Sequence, residues 1–269
     1  MRRLVGGREI GYDDRGRGPA VVLLHPFPFA RDLWGDVATT LAGRFRVIAV
    51  DARGFGESDL RASHPTPGAS APYAITDLAD DLAALLDALD VRRAAVVGMS
   101  MGGYTALAFA ARHAARLAAL VLADTRAAAD TPETRAKRDE ALATIHGRGP
   151  DVYLDGSLPR LLSPQASPGV LALARARAET RADGLVAGVE ALRDRPDRTA
   201  ELPAIACPTL VVCGADDQVT PAAEMRRMSG SIANARYLEL PGAGHLAHLE
   251  AGEAFTAAVG SFLADELAP

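Results

Sequence analysis

The chain has 269 residues, nearly half of them apolar, which suits one large α/β domain or a core with an inserted subdomain. Its formal charge of −5 comes from Lys and Arg interspersed with Asp and Glu, and no basic run tracks phosphates, so nucleic acid is excluded as an expected partner. No stretch reaches the roughly 18 apolar residues of a membrane span, and Met1-Arg2-Arg3 is not followed by the apolar run of a secretory signal; a cytoplasmic protein with no membrane partner is expected.

The opening segment, Arg8 to Asp13, is polar enough for an edge strand or hairpin. Short continuous apolar runs follow at Val21–Leu24, Val47–Val50, Ala94–Val97, Leu120–Leu122 and Leu210–Val212, and a last strand is expected at Arg236–Leu240. Continuous apolar strands are buried on both faces, as in parallel sheets flanked by helices. Helices are expected over Asp32–Leu41, Ile75–Leu89, Met101–Ala111, Ala222–Met228 and Glu250–Leu263. In Ile75–Leu89, Leu78, Leu82, Leu85, Leu86 and Leu89 share one stripe, while Asp77, Asp80, Asp81 and Asp87 supply polar surface. The alternation predicts a doubly wound, mostly parallel α/β sheet.

The rhythm breaks between Arg126 and Thr199, where there are helix signals and no convincing strand. Thr131-Pro132 starts a helix ending near Gly147, Ser167-Pro168 repeats the device, a third helix covers Ala182–Arg193, and Pro150, Pro159 and Pro164 punctuate loops. This gives a core of residues 1–125 and 200–269 with a helical cap of 126–199. Cys213 ends an apolar run and reads as a buried strand residue; its spacing from Cys207 fits neither a zinc nor a redox motif.

Gly98-Met99-Ser100-Met101-Gly102 lies between a buried strand and a helix, the setting in which a sharp turn lifts a serine oxygen above a sheet. A serine hydroxyl needs a base. Of His25, His64, His113, His146, His245 and His248, His245 is favoured because Gly242-Ala243-Gly244 loops it off the end of the last strand. His248 reads as a packing or surface histidine, His113 as a helix C-terminal residue, and His64 and His146 as polar-loop residues. The orienting carboxylate is expected in Gly214 to Pro221. Asp217 is favoured over Asp216 because it lies further from the strand; Asp124, after Leu120–Leu122, is a rival. The oxyanion donors are expected to be the N–H groups of Met101 and of Phe27 in His25-Pro26-Phe27-Pro28, whose prolines carry no N–H. Phe27, Phe29 and Trp34 are expected to line the substrate site, with Tyr104 a further candidate.

These motifs, with Asp51-Ala52-Arg53-Gly54-Phe55-Gly56-Glu57-Ser58 and the stretch Ala191 to Asp197, resemble the α/β-hydrolase superfamily over nearly the whole chain. Within it, the chain looks most like the cofactor-independent group of 3-oxoadipate enol-lactonases, small carboxylesterases and non-haem haloperoxidases or perhydrolases. It departs from that group at Pro26, where a glycine is usual. The resemblance implies no cofactor or metal, a structural role for Asp51 and Arg53, and a small ester or lactone as substrate, hydrolysed through an acyl-enzyme on Ser100. Carbon–carbon bond hydrolysis or lysis on the same serine, and slow-turnover ligand reception, stay open as alternatives, and the oligomeric state is not legible.

Overall fold

The computed structural model describes residues 1–60 and 73–268; His64 lies outside the described residues. The strands in chain order are β1 (Arg2–Val5), β2 (Arg8–Arg15), β3 (Ala20–Leu24), β4 (Arg46–Val50), β5 (Ala94–Met99), β6 (Leu117–Ala123), β7 (Thr209–Gly214) and β8 (Ala235–Leu240). They form one sheet in the order β1-β2-β4-β3-β5-β6-β7-β8. β1 and β2 make an antiparallel hairpin, β2 joins β4 antiparallel, and from β4 to β8 every pairing is parallel.

Helices α1 (Gly35–Leu41) and α10 (Gly252–Glu266) cover one face, while α2 (Ile75–Ala88), α3 (Met101–Arg112) and α8 (Ala222–Gly230) cover the other. Successive strand residues serve opposite faces. Val22, Ile48, Val96 and Leu122 pack with Leu82, Phe109 and Met225, whereas Val21, Val47, Val97 and Val121 pack with Val37, Phe255 and Phe262. A strand covered on both sides has no position for a polar residue, which explains the unbroken apolar runs. On α2, Leu78, Leu82, Leu85 and Leu86 are buried, and Asp81 pairs with Arg8 and Arg53. Arg53 and Asp51 are thereby structural: Asp51 is buried and accepts from the backbone N–H of Arg31 and Glu57.

Between β6 and β7 the chain forms α4 (Pro132–Arg148), α5 (Pro150–Ser157), α6 (Pro168–Arg177) and α7 (Ala182–Arg193). Thr131 caps α4 by accepting from the Thr134 N–H at 3.2 Å. Several local expectations need correction. Pro150 opens α5 instead of a loop, because the first turn of a helix has no use for the missing N–H. His146 lies in the last turn of α4, and Ser167 precedes α6 without a side-chain cap. Asp32–Leu41 begins as a 3₁₀ turn, Arg31–Trp34, before α1, and Glu250–Leu263 is broken at Ala251 between α9 (Ala247–Glu250) and α10.

A third buried cluster joins Leu154, Leu158, Leu162 and Ala174 of this helical segment to Phe29, Leu33 and Leu246. A buried ion pair, Arg195 to Asp130 at 2.6 Å, fastens its far end, and the Arg195 guanidinium lies 4.2 Å over the Tyr104 ring on α3. No helix among the described residues is long and apolar enough to cross a membrane.

Candidate active site

β5 and α3 meet at Ser100, which sits at φ 50°, ψ −112°, outside the regions L-residues favour. The turn holds because its surroundings leave no alternative. A Cβ on Gly98 would overlap the Gly102 carbonyl, and one on Gly102 would overlap the Leu24 carbonyl of β3. The Ser100 N–H donates to Ala123 O at 3.0 Å, and Thr125 Oγ1 donates to Ser100 O at 2.9 Å. Continuous use of these groups fixes where Oγ points.

β7 and β8 deliver the other two side chains to the same sheet edge. Ser100 Oγ donates to His245 Nε2 at 2.8 Å, and His245 Nδ1 donates to Asp217 Oδ2 at 2.8 Å. Ser100 is 8% exposed, Asp217 4% and His245 2%, so this chain of hydrogen bonds is largely dry. Asp217 Oδ1 accepts from the N–H of Val219 at 2.7 Å and of Thr220 at 3.0 Å, and Oδ2 accepts from the Thr220 hydroxyl. Burial works to raise the Asp217 carboxyl, but His245 and the Thr220 donors outweigh it and hold the group below its ordinary value. A serine hydroxyl, an imidazole with its proton on Nδ1 and an ionised carboxylate can pass the serine proton to Nε2 as Oγ attacks an electrophile.

The Phe27 and Met101 N–H groups enter no hydrogen bond among the described residues. The loop carrying Phe27 is braced from behind: His25 Nδ1 donates to Pro26 O at 3.0 Å, and His25 Nε2 accepts from the Ala52 N–H at 2.9 Å. Both contacts require one neutral tautomer, and burial lowers the proton affinity of this ring. The Phe27–Pro28 peptide is cis. The Phe27 ring packs edge-on against Phe55, with centroids 5.9 Å apart, and beneath Tyr153 of α5 at 6.4 Å. Gly188 of α7 lies so close that a Cβ there would press on the Phe27 ring.

The remaining candidates fall elsewhere. Asp216 accepts from Ser163 Oγ at 2.9 Å and does not reach His245. Asp124 Oδ1 accepts from the Gly214 N–H at 2.8 Å, and burial and neighbouring Asp217 push its carboxyl well above the ordinary range. His113 pairs with Asp80, and His248 is packed between Trp34 and Phe255. Trp34 is a correction: it is fully buried in the α1–α10 layer, because the 3₁₀ turn points it beneath the sheet, away from Ser100. Phe29 is also fully buried, among the leucines of α5 and its following turn, and presents no open surface. Tyr104 lies under Arg195.

Sequence reasoning missed Thr220 and Glu250. Glu250 accepts from the Gly244 N–H at 2.9 Å and the Ser163 N–H at 2.8 Å. Neither residue type marks a site in one dimension: Thr220 meets Asp217 within its own loop but reaches His245 only through the pairing of β7 with β8, and Glu250 reaches Ser163 only through the folding of the helical segment.

This eight-stranded sheet, with a serine at the turn after β5 and an acid and a histidine after β7 and β8, defines the α/β-hydrolase architecture. Residues 19–252 match the family described as alpha/beta hydrolase fold, and the chain belongs to that family. It is 34% identical to a thermophilic esterase from Thermogutta terrifontis, with a TM-score of 0.90 and 98% of each chain covered. It is 32% identical to the enol-lactonase from Burkholderia xenovorans LB400, with a TM-score of 0.87 over 98% of this chain and 99% of that one. A Caulobacter sp. (strain K31) relative carrying the provisional name carbamate hydrolase RutD is 32% identical over 245 residues, 87% of each protein. The chain is accordingly a hydrolase of this family.

Proposed function

We propose that this hydrolase cleaves small carboxylic esters or lactones through an acyl-enzyme on Ser100. The observation that carries the reading is the buried relay from Ser100 Oγ to His245 Nε2 and from His245 Nδ1 to Asp217, both at 2.8 Å. Ser100 Oγ attacks the carbonyl carbon as its proton moves to Nε2. Asp217 holds the ring and stabilises the imidazolium. The N–H groups of Phe27 and Met101 bind the oxyanion. Collapse of the tetrahedral species breaks the carbon–oxygen bond, and Nε2 returns its proton to the leaving alkoxide. Water, deprotonated by His245, then releases the acid and frees Ser100.

The helices of residues 126–199 serve as a cap, which is supported by the packing of Tyr153 and Gly188 over Phe27. Likeness to an esterase and an enol-lactonase supports the ester and lactone class. A chain-length series of nitrophenyl esters and lactones, run beside Ser100→Ala, tests the reading. Turnover of at least one member of the series should fall by about 10³-fold or more in the variant. Near-wild-type ester hydrolysis by Ser100→Ala would sink it.

A further inference from the structure

Asp217 has room for about four hydrogen bonds, two on each oxygen. Four donors meet it: the N–H groups of Val219 and Thr220 on Oδ1, and the Thr220 hydroxyl and His245 Nδ1 on Oδ2. One residue supplies two of the four, and Thr220 is completely buried. Having given its proton to Asp217, the hydroxyl oxygen lies 3.3 Å from His245 Nδ1 and can accept only from that N–H. The hydroxyl therefore touches both members of the acid–base pair. It fills the last acceptor site of the acid and keeps the Nδ1 proton between Asp217 and itself.

We propose that Thr220 is a positioning residue that sets the basicity of the Asp217–His245 pair. The proposal rests on the triad assigned above. By taking a share of the Asp217 charge, the hydroxyl weakens the pull of the carboxylate on an imidazolium. By saturating Oδ2, it prevents the carboxylate from rotating away from Nδ1. Removing the hydroxyl concentrates negative charge on the oxygen that faces Nδ1, so the imidazolium form gains stability.

Other titratable groups face the pair from neighbouring elements. Asp124, at the end of β6, is driven well above its ordinary value by burial and by Asp217, and the Cys213 thiol of β7 is pushed up to about 12 by burial. His248 of α9 is held down to about 3 by burial. Cys213 and His248 stay uncharged near neutral pH, and Asp124 is common to every variant compared. Glu250, raised by burial, is common to every variant compared.

The test compares wild type, Thr220→Val, Thr220→Ala and Thr220→Ser by the pH profile of kcat/KM on a nitrophenyl ester, and by NMR titration of the His245 ring. In Thr220→Val the acid limb and the His245 midpoint should move to higher pH by several tenths of a unit. The plateau should fall about 10-fold, as expected for loss of one hydrogen bond to a charged acceptor. Thr220→Ala supplies the same comparison if Val disturbs folding. Thr220→Ser, which keeps the hydroxyl, should restore the wild-type midpoint. An unmoved midpoint in both hydroxyl-free variants, or a shift in Thr220→Ser as large as theirs, overturns the proposal. A wild-type protein without Ser100-dependent hydrolysis would defeat the functional reading instead, and the NMR titration would still decide the role of Thr220.

Discussion

The Glu250 carboxylate accepts a hydrogen bond from the Gly244 N–H at 2.9 Å, one residue before His245. Its other oxygen accepts from the Ser163 N–H at 2.8 Å, and the Leu246 N–H donates to Leu161 O at 3.2 Å. Ser163 also donates through its hydroxyl to Asp216, beside Asp217. The turn between α5 and α6, in the middle of the helical segment between β6 and β7, is thus stitched to both loops that carry the acid and the base. At this point the segment is part of the mount of His245 and not a free lid.

Glu250→Ala should leave two buried backbone donors without partners, at a cost of about 2 kcal/mol in unfolding free energy. Because one of them adjoins His245, kcat should fall more than KM changes. Denaturant unfolding and steady-state kinetics on one ester check this, and a stable variant with unaltered kcat would remove Glu250 from the mount.

The turn at Ser100 depends on close approach more than on chain flexibility. Gly98→Ala and Gly102→Ala each place a Cβ against a backbone carbonyl, of Gly102 and Leu24 respectively. Each should cost about 3 kcal/mol or more, or prevent folding. Gly147→Ala provides the contrast: the site is helical and open, so stability should rise by up to about 1 kcal/mol. Thermal melts of the three variants would separate close packing from a general aversion to replacing glycine.

His248 gives the protein a specific acid weakness. It is buried between Trp34 and Phe255, and neither ring nitrogen has a hydrogen-bond partner among the described residues. Burial lowers its proton affinity from the ordinary value of 6.5 to about 3. Between those two values the unfolded chain binds a proton that the folded chain refuses, so stability falls as pH drops through the window. His248→Leu abandons no hydrogen bond and removes the titration. Its Tm should gain on wild type progressively from about pH 7 to about pH 4. A Tm difference that stays constant over that range would show that His248 is not the group responsible.

The sheet, its flanking helices and the meeting of Ser100, Asp217 and His245 at one sheet edge were legible in the sequence because each leaves a local signature. Strands buried on both faces read as unbroken apolar runs, as in Val21–Leu24 and Leu210–Val212. A nucleophile turn needs small flanking residues, and a histidine or acid after a strand falls at the same sheet edge as the strand's neighbours. Pro132 and Thr131 marked α4 for an equally local reason. The same proline signal misled at Pro150, because a first helical position and a loop tolerate the residue alike.

What the tertiary structure alone decided depends on distance along the chain. Trp34 and Phe29 stand close to Phe27 in sequence, yet a single 3₁₀ turn sends Trp34 into the opposite layer and leaves Phe29 clamped among leucines more than a hundred residues away. Thr220 meets Asp217 within its own loop, but its hydroxyl comes within 3.3 Å of His245 only because β7 and β8 lie side by side. Glu250 likewise meets Gly244 locally, and only the folding of the helical segment onto the loop after β8 gives it the N–H of Ser163 as well. Sequence determined which groups are present and which local turns present them, since those follow from backbone sterics and side-chain polarity. Their mutual orientation follows from which strands pair and which faces are covered, and those are long-range choices made by burial of the whole chain.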